Sequence, residues 1–287
     1  MGSDFGGDRG TSKEALAHPT QEGREHALLD HLRAVAEGAA RFATPLGSAE
    51  IGRLAGLWHD LGKYAPAFQK MIREANGFEA HIEGDTGGPR AHSSAGAIHA
   101  AQTLGPAGQA IAFALAGHHA GLANQSDLGE RLRRKGDPKR EDRCLVRAID
   151  GGAPADLLAA AAPPLPAHLL GSTDDAKRRR EMFTRMLFSA LCDADFLDTE
   201  AFYRAGQATL RGQSPAIGDL ASRLEQRLDA LEAGAPATEV NRVRAEVRQA
   251  CAVAARGAPG VFSLTVPTGG GKTQEGLYRA PARPARP

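Results

Sequence analysis

Cysteine is scarce in this chain. Cys144, Cys192 and Cys251 are the three in 287 residues. Their spacing forms neither a CxxC pair nor a zinc-type set, which argues against a disulfide framework and makes a reducing compartment the default. Long apolar runs are also lacking. None approaches the ~20 residues of a membrane span, and the opening MGSDFGGDRGTSKE has no basic-then-apolar leader pattern. A cytoplasmic protein without a membrane partner is the expectation. Neither sign of charge dominates: 35 Lys and Arg face 34 Asp and Glu, a net +1. A polyanion would therefore find no global attraction, only a local patch or a metal. Strand signals are missing until residue 261.

What remains is apolar helical periodicity. The content, 42% apolar and 24% charged, suits one large globular domain or a domain plus a fragment. Leu28, Leu29, Leu32, Val35, Ala36, Ala39 and Phe42 have helical spacing and carry His31 beside their stripe. After Thr44-Pro45-Leu46-Gly47, a second helix with Ile51, Leu54, Leu57, Trp58 and Leu61 delivers His59 and Asp60. Pro66 fits the first turn of a third. Residues 76–91 read as a Gly- and Asp-rich loop. Further helices begin near His92 and run from Ala107 to about His119. Residues 122–143, with Arg131, Arg133, Arg134, Lys135, Lys139 and Arg140, read as a solvated loop or as one that contacts phosphate. The longest helical signal runs from Asp174 to about Tyr203. Two amphipathic segments follow at 216–233 and 238–256, so the first ~255 residues read as all-α.

Set into these helices are His31, His59-Asp60, His92, His118-His119 and an aspartate near 195. A single histidine in a helix is ordinarily a hydrogen-bonded core or surface residue. Several, joined by a His-Asp pair, suit borderline first-row metals, and a bridging carboxylate suits a two-metal site. Periodicity does not decide between Asp193 and Asp195. Asp198 reads as a surface or capping residue.

The order of these residues resembles the HD superfamily of metal-dependent phosphohydrolases, all-α helical bundles. More narrowly it is similar to the HD nuclease domain of the type I CRISPR-associated nuclease–helicase. The likeness rests on HLRAVAEGAARFA around His31, LWHDLGKYAPAFQKMI around His59-Asp60, HSSAGA at His92, AGHHAGL at His118-His119 and LFSALCDADFLDTE around Asp195. It implies that His31, His59, Asp60 and Asp195 hold one cation. Asp60, His92, His118 and His119 hold a second, with Asp60 as bridge and catalytic centre. The A-D-x-L-x-T context favours Asp195 over Asp193. Thr199 stands where the family has a small hydroxyl residue. Lys63 is expected either near the scissile phosphate or holding the local turn, with a surface lysine as the plain reading. Two cations about 3.5–4 Å apart can lower the pKa of water and neutralise a phosphodiester, so no serine or cysteine nucleophile is required. Histidine-rich ligation points to Mn, Fe, Co or Ni rather than Mg.

Val261–Val266 reads as a short strand, followed at once by PTGGGKT, a helicase-type Walker A loop. Gly269, Gly271, Lys272 and Thr273 would bind ATP phosphates and Mg²⁺ there. Val266 replaces the first glycine of the strict pattern. The resemblance divides the chain into a loose N-terminus (1–20), an HD nuclease domain (21–235), a helical linker (236–259) and the truncated strand–loop start of an α/β helicase domain (260–287). Helicase activity is not expected. The function implied is metal-dependent cleavage of single-stranded DNA in CRISPR antiviral defence, beside a Cascade-type surveillance complex. The alternatives are a phosphohydrolase of nucleotides and an inactive fragment that binds partners of that complex.

Overall fold

The computed structural model describes residues 14–19, 23–74, 92–137, 143–211, 215–258 and 262–271. The expected loop at 76–91 lies outside them. In chain order the helices are α1 (Leu28–Ala43), α2 (Ala49–Trp58), α3 (Pro66–Glu74), α4 (Ser93–Thr103), α5 (Gly105–Gly117) and α6 (Gln125–Gly136). They continue as α7 (Cys144–Asp150), α8 (Ala155–Leu158), α9 (Asp174–Tyr203), α10 (Ala205–Ala208), α11 (Ile217–Ala233) and α12 (Glu239–Ala255). The described residues contain no strand, only an isolated antiparallel bridge between Leu16 and Ala27. The fold is an all-α bundle. The chain separates into two units, Met1–Thr209 and Leu210–Pro287.

In the first unit, α1 packs along α2 and α9, and α4 pairs with α5, which also lies on α9. The α1 stripe explains this. Leu32, Val35, Ala36, Ala39 and Ala43 are buried on one face, and the small alanines let α2 approach closely. Ile51, Leu54, Trp58, Ile111, Leu115, Phe183, Leu187 and Leu191 complete the main core. Trp58 is fully buried and its indole N–H donates to Leu157 O at 2.8 Å, so the large ring is sunk without an orphaned donor.

Two glycines bring the end of α2 against the start of α4. A Cβ on Gly96 would lie 1.9 Å from Trp58 O, and one on Gly62 would lie 2.2 Å from His92 O. Only hydrogen fits at these crossings. They seat His92 beside the turn that follows His59-Asp60. Gly62→Ala should therefore destabilise the protein by about 1–3 kcal/mol or more, the usual scale for overpacking. It should also push His92 away from Asp60. A lower urea midpoint together with weaker metal uptake would show both effects; a wild-type midpoint would contradict the packing argument.

The described part of the N-terminal segment, expected to be loose, is packed. Leu16 sits with Phe68 and Ile72. Its backbone exchanges hydrogen bonds with the Gln69 amide, N–H to Oε1 at 2.8 Å and Nε2 to O at 2.9 Å. The polar stretch expected as a loop after residue 122 contains α6 instead. Leu128 and Leu132, one helical turn apart, pack on the main core, and α6 lies against α4.

In the second unit, Arg248 of α12 pairs with Asp229 and Glu232 of α11. Residues 262–266, expected as a strand, form none. A strand needs a neighbour to receive its N–H and C=O groups, and no partner strand exists among the described residues. Gly269 and Gly271 both have φ of 89°, and Arg244 donates to Gly269 O at 2.7 and 2.9 Å. Lys272 and Thr273 lie outside the described residues.

Candidate metal centre

The candidate residues come from five places in the first unit, most of them helix ends. His31 lies in the first turn of α1. His59 caps the C-terminus of α2, and Asp60 follows it at φ −110°, ψ 20°. His92 occupies the N-cap of α4, and His118 and His119 follow α5. Asp195 lies within α9. The fold gathers all seven into two groups, His31–His59–Asp195 and Asp60–His92–His118–His119.

Asp60 joins the groups. Its Oδ1 faces His92 Nε2 at 3.1 Å and His118 Nε2 at 3.4 Å. Its Oδ2 faces His59 Nε2 at 3.3 Å and His31 Nε2 at 3.6 Å. Asp195 Oδ1 closes the first group, 3.4 Å from His31 Nε2 and 3.6 Å from His59 Nε2. Imidazole nitrogens oppose one another at 3.2 Å (His31–His59) and 3.0 Å (His92–His119). Donor atoms bound at 2.0–2.2 Å to one first-row ion lie about 2.9–3.5 Å apart. These separations match that spacing.

The hydrogen-bond pattern fits cations as well. Carbonyl oxygens only accept, so His59 Nδ1 donates to Gly56 O at 2.8 Å and His118 Nδ1 donates to Leu115 O at 2.7 Å. Each bond leaves Nε2 as the ligating nitrogen. His118 Nε2 and Asp60 Oδ1 are buried and make no hydrogen bond. Orphaned buried polar atoms are costly, and a cation between them removes that cost. The donor set is mixed nitrogen and oxygen, as borderline divalent ions prefer.

The carboxylates of the cluster bias the protonation of its histidines. Burial alone would lower His31, but hydrogen bonds to Asp195, Asp198 and Asp60 raise it to about 10. Burial opposes His59 too, yet Asp60 and Asp195 raise it to about 9. Burial would raise Asp60 and Asp195, but the surrounding cationic groups hold both carboxyls well below the ordinary value. His119 is pushed down to about 2 by burial and by its histidine neighbours.

Lys63 is neither exposed nor idle. Its ammonium is buried, 2.6 Å from Asp60 Oδ2, and donates to Ala17 O at 3.0 Å. It ties the packed N-terminal segment to Asp60. Arg131 corrects the reading of the basic stretch. Its guanidinium donates to Ser94 Oγ (3.1 Å), Ser93 Oγ (2.9 Å) and Ala116 O (2.9 Å). It therefore clamps the helix start that bears His92 to the helix end that bears His118. Cys192, one turn before Asp195, donates its thiol to His118 O at 3.6 Å, and burial with Asp195 and Asp193 nearby pushes it up to about 12.

Asp198 is the other correction. Read as a surface or capping residue, it places Oδ2 2.7 Å from His31 Nδ1. Its position three residues after Asp195, on the same helical face, was the available signal. Sequence reasoning also missed His18 and His26, whose nitrogens cluster with His31. His18 Nε2 lies 3.3 Å from Thr199 Oγ1, so Thr199 reaches the site's edge through that ring. The short apolar run Ala15-Leu16-Ala17 before His18 was the one hint that the segment packs.

No helix among the described residues is long and apolar enough to cross a membrane. No curated protein matches the chain. A family model described as "Cas3, HD domain" matches residues 17–192, more than half of the chain. The match takes in His31, His59, Asp60, His92, His118 and His119 and ends before Asp195, whose place at the site rests on distance. The chain belongs to the Cas3 HD-domain family, the metal-dependent nucleases of CRISPR systems.

Proposed function

We propose that this chain cleaves single-stranded DNA at a binuclear centre. His31, His59, Asp195 and Asp60 would hold one divalent cation; His92, His118, His119 and Asp60 would hold the other. The observation that carries this reading is the division of the Asp60 oxygens between the two histidine groups. Bound cations supply Lewis-acid polarisation of the phosphodiester and an acidified water.

The chain's own residues hold, orient and compensate. Asp60 and Asp195 provide the negative charge that offsets two dications. The backbone carbonyls of Gly56 and Leu115 fix the tautomers of His59 and His118. Lys63 holds Asp60 Oδ2 from the side of the N-terminal segment, which makes it a positioning group. Specificity for DNA and a Cascade-type partner in antiviral defence are proposed from family membership. The PTGGGKT loop is given no part in hydrolysis.

The test loads the purified chain with Mn²⁺, Co²⁺, Ni²⁺ or Fe²⁺ and offers single-stranded DNA, duplex DNA and a nucleotide panel. Cleavage of single-stranded DNA that stops on chelation is expected. Hydrolysis of nucleotides alone would replace the reading with a nucleotide phosphohydrolase. Failure to take up any of these metals would leave a binding protein instead.

A further inference from the structure

The ring nitrogens that face away from the two cation positions have different partners. His59 and His118 donate to backbone carbonyls. His31 meets a carboxylate, Asp198 Oδ2, at 2.7 Å. That carboxylate is itself held. His26 Nε2 approaches the same oxygen at 3.5 Å, and the His26 ring stacks on Phe202, one helical turn along α9, with centroids 4.6 Å apart and planes 18° from parallel. Arg24 lies over Phe202, 5.3 Å from its centroid, and donates to its backbone oxygen at 3.1 Å. The wall around Asp198 thus joins the segment before α1 to the end of α9.

We propose that Asp198 is a positioning residue for one of the two cation positions only, the one formed by His31, His59 and Asp195. It holds the His31 ring with Nε2 toward Asp195 and Asp60, and its negative charge makes that nitrogen a stronger donor. A carboxylate behind a ligating histidine does both. The other position has no ligand in contact with Asp198 in the contacts described above. Asp198 is thus an anionic partner outside the ligand set that acts on this position through His31. This inference rests on the two-cation reading.

Calorimetric titration of the full chain with Mn²⁺ tests it, using the wild type, Asp198→Asn, Asp198→Ala and Asp193→Asn. Asp193 is an exposed carboxylate on the same helix and serves as the control. Asp198→Ala should weaken one binding step by about ten- to hundredfold and leave the other within about twofold. Asp198→Asn keeps an acceptor oxygen of the same shape and should fall between that variant and the wild type. Asp193→Asn should titrate as the wild type does. Equal weakening of both steps would mean a merely structural role and overturn the inference, as would no weakening of either. A wild type that binds one Mn²⁺ or none would overturn the two-cation reading and this inference with it. A wild type with two steps, both unaffected in the variants, would overturn the inference alone.

Discussion

Asp60→Asn is expected to lower phosphodiester cleavage by on the order of a thousandfold or more, because an acidified water depends on bound cations. Both cations should be weakened together. Oδ1 serves the His92–His118 group and Oδ2 the His31–His59 group, so one residue is shared where every other candidate ligand belongs to one group. Asparagine is preferred to alanine. Alanine would leave the buried Lys63 ammonium without its 2.6 Å partner, and removing one member of a buried pair commonly costs about 3–5 kcal/mol. Asparagine keeps the shape and a carbonyl oxygen toward Lys63. Circular dichroism should report intact helices, elemental analysis should report loss of metal, and a cleavage assay should report loss of turnover. A folded Asp60→Asn protein that retained its metal and more than a tenth of its activity would remove Asp60 from the centre of the mechanism.

The second large effect is that metal loading flattens the pH dependence of stability. In the metal-free protein His31 and His59 are raised to about 10 and about 9. A raised histidine stabilises the fold fully below its unfolded value of 6.5, and that contribution disappears as pH climbs through the raised values. Asp60 and Asp195 are depressed, so their contribution is present above the ordinary carboxylate range and is lost as pH falls below it. The metal-free protein should therefore be most stable between about pH 4 and 6.5 and weaken toward pH 10. Cation binding requires neutral imidazoles and displaces those protons. Where His31 and His59 are both protonated, affinity should rise by up to about a hundredfold per pH unit, tenfold for each proton released. Urea midpoints measured from pH 7 to 9.5 should fall in chelator and stay nearly level with saturating Mn²⁺, because the protons the metal displaces are ones the unfolded chain has already lost above pH 6.5. Parallel curves would contradict ligation by these two histidines.

The helices were legible from apolar periodicity, and the candidate site residues from burial together with the order of motifs that resembles the HD family. Histidine and aspartate beside Leu57, Trp58 and Leu61 must be buried, and burial demands partners. His59-Asp60, His92 and His118-His119 all stood out in that way. Asp198 did not, because its partner is 167 residues away and it is one of three aspartates set closely along this helix, Asp193, Asp195 and Asp198. Lys63 was ambiguous for a related cause. Whether a lysine at a helix end turns inward depends on what packs over it, and here that is Ala17, 46 residues earlier. The basic stretch hid α6 because Leu128 and Leu132 are its only strong apolar signals among many charges. The β-prone run at 262–266 misled in the opposite direction. Its residues favour extended backbone, but a strand is a property of two segments, and propensity in one does not supply the other.

The thiol of Cys192 has a consequence for how the centre keeps its chemical character. Thiolate is the form of cysteine that captures soft metals, reacts with electrophiles and enters the oxidation ladder. In the metal-free protein burial and the nearby aspartates push Cys192 up to about 12 and its S–H is turned to His118 O, so the sulfur beside Asp195 is a protonated thiol there. A sulfur lies within a helical turn of the ligands yet contributes no anionic donor. The site remains an imidazole–carboxylate cage, poorly suited to cuprous ion. A cation entering this cage would meet nitrogen and oxygen donors and a sulfur already engaged as a hydrogen-bond donor.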